Sequence, residues 1–123
     1  MILKGDNMRV VISGGGTGGH IYPAVAIIEE LKRRDENIEI LYIGSKNSME
    51  SELIPSLNIN FKSIEAMGLP RKINKKFFKS VFILFKGLSQ AKKILKEFKP
   101  DVVIGTGGFV TGPVLYKAHK LGI

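Results

Sequence analysis

Apolar and polar residues are arranged in blocks along the chain, and the length and period of each block indicate its secondary structure. Short apolar or β-branched runs predict buried strands at residues 9–13, 38–43, 61–64 and 101–105. Longer stretches with apolar residues at helical spacing predict four helices, one with Pro23 in its first turn and the others at residues 48–57, 73–98 and 111–121. The helix at 73–98 is either continuous or broken near Gly87.

The alternation of strands and helices predicts the fold class. It is typical of an α/β domain, a Rossmann-like parallel sheet with helices on both faces and right-handed crossovers. Such sheets bind ligands beyond the carboxyl ends of their strands, near the switch in strand order. We expect residues 1–7 to form a short tail and residues 8–123 a single domain. A further strand should follow the last helix, so we expect that domain to be incomplete at its C-terminus.

Composition narrows the possible kinds of site. The chain has 123 residues, no cysteine and two histidines, which excludes disulfide scaffolds and thiolate metal sites, and no metal site is predicted. No apolar stretch is long enough for a transmembrane helix, and the first residues do not resemble a signal peptide. The formal net charge of +8 favours an anionic partner, either a nucleic acid, an anionic membrane surface or a phosphorylated ligand.

A glycine-rich loop follows the first predicted strand, where residues 13–20 read SGGGTGGH. Adjacent glycines let phosphate oxygens approach the backbone N–H groups, and the following helix adds its positive end, so the loop favours a diphosphate. Gly14, Gly16 and Gly19 also fit the dinucleotide-binding pattern, but that pattern requires an acidic residue after the second strand, and residues 42–45 contain none. Two alternatives stay open: a nucleotide-binding module without catalysis, and a turn that only connects strand to helix.

Several polar residues near this sheet edge are candidates for chemistry. His20, at the start of the first helix, is either a general base or a capping residue. Thr106 lies in a second glycine loop, at residues 105–108, and is either a phosphate donor or a turn residue. Glu50 either orients a substrate or is a solvated carboxylate on a short helix, and His119 is expected to face solvent.

Four ordered motifs resemble the MurG family of peptidoglycan glycosyltransferases. The first is Gly15-Gly16-Thr17-Gly18-Gly19-His20 with Pro23-Ala24, and the second is Gly44-Ser45 with residues 49–55. The third is Gly68-Leu69 with Arg71-Lys72, and the fourth covers residues 99–113. The resemblance extends from about Met8 to Ile123.

The resemblance implies that the chain is the truncated N-terminal domain of a two-domain GT-B glycosyltransferase. That family transfers N-acetylglucosamine from UDP-GlcNAc to the C4 hydroxyl of the muramic acid in lipid I, an undecaprenyl diphosphate, and the product is lipid II. The reaction implied is a metal-independent inverting displacement without a cofactor. The N-terminal domain binds the acceptor, and an absent C-terminal domain supplies most donor contacts, so we expect this chain alone to be inactive.

The resemblance also implies roles for individual residues. His20 is the candidate general base, and Thr17, Gly18 and Gly19 are expected to contact the donor. Glu50 and Arg71 are candidates for orienting the substrate. The acceptor diphosphate is expected to lie between the two glycine loops, at Gly15, Gly16, Thr106, Gly107 and Gly108.

The segment at residues 71–86 is both basic and aromatic. On a helix, Phe78, Phe82 and Phe85 share one side, and the surrounding lysines are Lys72, Lys75, Lys76, Lys79 and Lys86. Either the apolar residues pack on the sheet or the helix lies on an anionic membrane. A lipid-linked acceptor favours membrane docking, at the cytoplasmic face of the bacterial membrane. Nucleic-acid binding is disfavoured, because the chain has no nucleic-acid motif.

Overall fold

The computed structural model describes residues 7–123, so most of the tail predicted for residues 1–7 lies outside the described residues. Strands and helices alternate along the described chain. The strands are β1 (Arg9–Gly14), β2 (Glu39–Ser45), β3 (Asn60–Ile64) and β4 (Val102–Gly107). The helices are α1 (Gly18–Arg34), α2 (Met49–Ser56), α3 (Lys75–Phe98) and α4 (Thr111–Lys120).

All strand pairs in the sheet are parallel, and the strand order is β3-β2-β1-β4. The chain moves outward from β1 to β3 and then returns through α3 to place β4 beside β1. Val11 of β1 is paired with Leu41 of β2 on one side and with Val103 of β4 on the other. The switch in strand order therefore lies between β1 and β4, and this is the position at which α/β sheets bind ligands. The predicted fold class is confirmed.

The sheet is covered on both faces, as its apolar strands require. On one face, Val10 and Ile12 of β1 pack with Ile21 and Ile28 of α1, and with Ile54 of α2. On the other face, β1 and β2 contribute a second cluster, which includes α3 and α4. The buried members of that cluster are Val11, Leu41, Ile43, Ile64, Ala91, Leu95, Val110, Val114 and Ala118. The alternation of side chains along β1 thus divides the core between two helix pairs.

One helix prediction needs correction, and an alternative left open for another helix is decided. Helix α1 begins at Gly18 rather than next to Pro23, so the end of the glycine loop is itself the first turn of the helix. Pro23 lies inside α1, and without an N–H group it cannot donate to the carbonyl of Gly19. Helix α3 is continuous through Gly87. A Cβ atom at Gly87 would lie 2.2 Å from the carbonyl oxygen of Glu65, so this glycine lets α3 approach the loop after β3 and does not break the helix.

Within residues 7–123, every helix is too short or too polar to span a lipid bilayer.

Candidate functional site

The two glycine loops are in direct backbone contact at the switch point. The N–H group of Gly15 donates to the carbonyl of Gly107 at 3.1 Å. A Cβ atom at Gly108 would lie 2.3 Å from the carbonyl oxygen of Gly15. Gly107 and Gly108 have φ angles of 123° and 96°, in the region that favours glycine. The loops therefore form one continuous platform at the ends of β1 and β4.

His20 rests on this platform with one ring nitrogen fixed. Its Nδ1 lies 3.0 Å from the carbonyl oxygen of Gly15 and 3.3 Å from the hydroxyl oxygen of Thr17. Because a carbonyl only accepts, we assign the proton to Nδ1, which leaves the lone pair of the neutral ring on Nε2. Nε2 has no hydrogen-bond partner among residues 7–123. A half-buried imidazole with a free Nε2 lone pair can act as a general base.

Glu50 is fully buried, which corrects the expectation that it is solvated. Its Oε2 accepts hydrogen bonds from the N–H and hydroxyl groups of Ser45, at 3.0 and 2.9 Å. Its Oε1 accepts from the N–H group of Gly16 at 3.3 Å. Burial alone would raise the pKa of Glu50, but the hydrogen bonds from Ser45, from the backbone of Glu50 and from Ser48 outweigh it and hold that pKa below its usual value. Glu50 is thus an ionised carboxylate inside the protein, out of reach of a substrate.

These contacts change which groups are available to a diphosphate. The N–H groups of Gly15 and Gly16 already have internal acceptors, which are Gly107 and Glu50. The hydroxyl of Thr106 donates to the main-chain carbonyl of His20 at 2.6 Å. Each of these three donors is therefore used within the fold, which argues against its donating to a phosphate.

Other N–H groups remain available at the same edge. Within the described chain, the N–H groups of Thr17, Gly18 and Gly19 at the start of α1 have no acceptor. The same holds for the N–H groups of Gly108 and Phe109, just before α4. Neither helix has an acidic residue in its first turn, so no carboxylate neutralises its positive end. Both helix starts can accept an anion.

Three polar side chains that the sequence did not single out hold the platform together. The hydroxyl of Tyr42 donates to the carbonyl of Gly14 at 2.6 Å, and that of Thr111 donates to the carbonyl of Gly107 at 2.8 Å. Ser13 donates to the carbonyl of Ile43 at 2.8 Å and so links β1 to β2. Burial, followed by the negative charge of Glu50, raises the pKa of Tyr42, so this hydroxyl stays protonated. The sequence carried a signal only for Ser13, the polar residue that ends the first apolar run.

The predicted basic loop contacts the second glycine loop through Gly68. A Cβ atom at Gly68 would lie 2.6 Å from the ring of Phe109, so the two segments pack closely. Arg71 is exposed in this loop and forms no hydrogen bond or ion pair within the described residues. His119 is exposed, as expected.

The aromatic stripe on α3 faces away from the core. Phe78, Phe82 and Phe85 are 66%, 68% and 66% exposed, whereas the buried positions of the helix are Ser80, Gly87, Ala91 and Leu95. The alternative that these three rings pack on the sheet is therefore excluded. We call Phe78, Phe82 and Phe85 the aromatic face. The exposed basic side chains nearby in the sequence are Lys72, Lys75, Lys76, Lys79 and Lys86, of which Lys86 also pairs with Glu65 at 3.2 Å.

An apolar groove of about 750 Å³ lies between α3, α4 and the loop after β3. Its main lining side chains are Met67, Leu69, Leu84, Leu88, Phe109 and Tyr116. Gly108, whose N–H group is available, is also part of the lining. An anion site at the start of α4 would therefore border an apolar channel, a combination that suits an amphiphilic phosphate ester.

A parallel α/β sheet whose switch point presents two unneutralised helix starts and an oriented histidine agrees with the N-terminal domain of a GT-B glycosyltransferase, and the comparisons show that class. The chain belongs to glycosyltransferase family 28, because the N-terminal domain of that family matches residues 10–123.

Similar proteins agree with this assignment. A Finegoldia magna protein named UDP-N-acetylglucosamine–N-acetylmuramyl-(pentapeptide) pyrophosphoryl-undecaprenol N-acetylglucosamine transferase is 60% identical over 92% of this chain and 30% of its own length. A Bacillus subtilis protein of the same name is 54% identical over 94% of this chain and 32% of its own length. The chain thus spans about a third of the length of the curated relatives it matches.

Solved structures give the same result for the fold. The crystal structure of Acinetobacter baumannii MurG has a TM-score of 0.79 and 30% identity, and the match covers 94% of this chain and 33% of that one. A UGT transferase from Siraitia grosvenorii in complex with UDP has a TM-score of 0.58 at 16% identity, over 95% of this chain and 26% of that one. The second likeness concerns the fold alone.

Proposed function

We propose that the full-length protein transfers N-acetylglucosamine from UDP-GlcNAc to lipid I, giving lipid II, and that residues 8–123 are its acceptor-binding domain. The observation that carries this proposal is the fixed ring of His20, with a free Nε2 beside helix starts that can receive phosphates. The printed names of the relatives, each an N-acetylglucosamine transferase for an undecaprenyl pyrophosphoryl acceptor, support the choice of substrates.

The proposed reaction is a single displacement. Nε2 of His20 accepts the proton of the acceptor hydroxyl while that oxygen attacks the anomeric carbon of the donor sugar. The bond from that carbon to the UDP oxygen breaks, and UDP leaves with the electron pair, so the configuration is inverted. The available N–H groups of Thr17, Gly18 and Gly19 support this step, because they would stabilise the negative charge on the leaving diphosphate. A second domain, corresponding to the remaining length of the relatives, would hold the donor. No step requires a metal ion or a cofactor.

The acceptor diphosphate is proposed to bind at the start of α4, where Gly108 and Phe109 have available N–H groups. Gly107 contributes space for His20. The apolar groove next to Gly108 is proposed to receive the first isoprene units of the lipid, since its lining is apolar and begins where the diphosphate would end. Arg71, exposed on the loop between β3 and α3, supplies a positive charge for orienting the acceptor.

The aromatic face and its lysines support a peripheral position on an anionic membrane, which we propose to be the cytoplasmic face of the cell membrane. Exposed phenylalanines can enter the acyl boundary while lysines pair with anionic headgroups. This position delivers a lipid-linked acceptor to the groove without removing its chain from the bilayer. We therefore propose the two substrates and the membrane as its partners.

A nucleotide-binding module without catalysis has less support. It needs a carboxylate at the end of β2 to hold a ribose, and β2 ends at Ser45. The nearby carboxylate of Glu50 is buried and already accepts hydrogen bonds from Ser45 and Gly16.

The test of the proposal is to incubate the full-length protein with UDP-GlcNAc and a lipid I analogue, with NAD titrated in parallel. Formation of the disaccharide lipid supports the proposal, whereas tight NAD binding without transfer would overturn it.

A further inference from the structure

We infer that Glu50 is a positioning residue for His20, acting through the peptide group that joins Gly15 to Gly16. The inference rests on the proposed function, because it assigns Glu50 a task in preparing the general base. It differs from a substrate-orienting role, since the carboxylate is fully buried.

The geometry is a hydrogen-bonded chain through a single peptide unit. At one end, Oε1 of Glu50 accepts from the N–H group of Gly16 at 3.3 Å. At the other end, the carbonyl of Gly15 accepts from Nδ1 of His20 at 3.0 Å. These N–H and C=O groups belong to the same planar peptide bond, so a carboxylate on one side faces the imidazole on the other. The negative charge lies at the positive end of the peptide dipole, and this polarises the carbonyl toward His20.

The peptide is held so firmly that its orientation is defined. The preceding peptide is anchored, because the N–H group of Gly15 donates to Gly107. A Cβ atom at Gly15 would lie 1.9 Å from Oε2 of Glu50, so the carboxylate packs directly on this glycine. Ser45 fixes Oε2 with two donors, which leaves Oε1 for Gly16. If the Gly15–Gly16 peptide rotated, the carbonyl would leave Nδ1, and the ring would lose the contact that keeps its proton away from Nε2.

The arrangement serves the same purpose as the carboxylate of a catalytic triad, which selects the histidine tautomer that can act as a base. Here the carboxylate does not contact the histidine directly but acts through a backbone amide. A buried carboxylate that served only stability would not need to contact this particular peptide, whose carbonyl accepts the hydrogen bond from His20. What distinguishes a positioning role from a purely stabilising one is the continuous hydrogen-bonded chain. It runs from Glu50 through the N–H of Gly16 and the carbonyl of Gly15 to His20.

Glu50→Gln is the variant that breaks the chain with the least change in shape. The side-chain amide has one acceptor oxygen, and the two donors of Ser45 will attract it. The NH₂ group then faces the N–H of Gly16, and the hydrogen bond to the peptide is lost.

Glu52→Gln is the matched control, because Glu52 is exposed in the first turn of the same helix. Ile54→Val provides a second control, since it loosens the buried side of α2 without altering these hydrogen bonds.

The experiment uses the full-length protein and two readouts. ¹⁵N shifts of the His20 ring, assigned with a His20→Gln variant, report which nitrogen carries the proton, and kinetics report kcat and KM separately. We expect wild type to hold the Nδ1–H tautomer and Glu50→Gln to populate both tautomers. We also expect kcat to fall by roughly tenfold or more while KM for either substrate changes by less than about threefold.

Glu52→Gln should match wild type in both readouts. For this comparison, the kcat of each variant is measured at the same interval below its own melting temperature. The positioning role would be overturned if Glu50→Gln kept the wild-type tautomer and had the same kcat as Ile54→Val. If wild type itself transfers no sugar, the proposed function fails, and the ¹⁵N measurement alone then decides whether Glu50 orients His20.

Discussion

His20 occupies space that is available only because residue 107 has no side chain. A Cβ atom at Gly107 would lie 2.6 Å from Cδ2 and 2.9 Å from Nε2 of the His20 ring. The second glycine loop therefore shapes the position of a residue from the first loop, across the pairing of β1 with β4. This relationship explains why a glycine is needed at Gly107 even if the residue makes no phosphate contact.

Gly107→Ala should disable the site more than it destabilises the protein. The substitution places a methyl group against the ring of His20 and also strains a backbone with a φ of 123°. We expect turnover of the full-length protein to fall by about a hundredfold or more, because small displacements of a catalytic group have effects of that size. The measurement is kcat with both substrates saturating.

The matched control for that variant is Gly122→Ala. Gly122 also has a positive φ, at 78°, but a Cβ atom there meets nothing within 4 Å. It places an alanine at a positive φ without the contact to His20. Equal loss of turnover in both variants would show that strain, and not the space required by the ring, is responsible.

The stability of the protein should depend on the ionisation of Glu50 in mildly acidic solution. Its pKa is lowered in the folded state, so the folded protein favours the charged form. The associated stability is complete above the unfolded-state pKa of about 4.3 and is lost as the pH falls through the lower folded-state pKa. We expect Glu50→Gln to flatten this part of the curve of melting temperature against pH, between about pH 5 and pH 3. Curves for wild type and Glu50→Gln that stay parallel in this range would contradict the assignment, and Glu52→Gln should follow wild type.

Membrane binding should depend on the aromatic face. Replacing Phe78, Phe82 and Phe85 with serine removes exposed apolar surface without touching the core. We expect partitioning of the full-length protein onto phosphatidylglycerol vesicles to fall by about tenfold or more. Raising the salt concentration should weaken wild-type binding, because the lysines interact with anionic headgroups. Tyr22→Ser is the control, since Tyr22 is 57% exposed on α1. A triple variant that binds vesicles as wild type does would remove the face from this role.

The apolar groove should distinguish acceptors by chain length. Leu84 and Leu88 line it from α3, so Leu88→Asn places a polar group in the proposed path of the isoprenoid. We expect KM to rise several-fold for a long-chain lipid I analogue and to change little for an analogue with a short chain. Leu57→Asn, at a 44% exposed position outside the groove, should change neither. An equal rise of KM for both analogues would argue against chain binding in the groove.

The sequence predicted the fold because its strands are short apolar runs and its helices keep a clear helical period. The start of α1 was placed too late because glycines have low helix propensity, and here the loop backbone itself turns into the helix. Gly87 suggested a break for the same reason, although its function is to let α3 approach Glu65. Local propensity does not report such tertiary contacts.

The candidate site was harder to predict than the fold. The loop, His20 and Gly107 are recognisable as a motif, but the use of each N–H group depends on partners far apart in sequence. Glu50 resembled a surface carboxylate on α2, and only the folded chain brings it to Gly16, which lies 34 positions away. Thr106 was assigned to a phosphate, yet its hydroxyl bonds His20 across a separation of 86 residues. Motifs gave the types of residue, and three-dimensional packing decided which of their atoms are available to a ligand.

The central claim is that His20 is the base of a sugar transfer, and its removal from the full-length protein is the most direct test. The measurement is the single-turnover rate of N-acetylglucosamine transfer from UDP-GlcNAc to a lipid I analogue, for wild type, His20→Ala and the exposed control His119→Ala. We predict that His20→Ala slows the chemical step by about 10²- to 10⁴-fold while still binding both substrates, and that His119→Ala matches wild type. A His20→Ala protein with near-normal turnover would contradict the account.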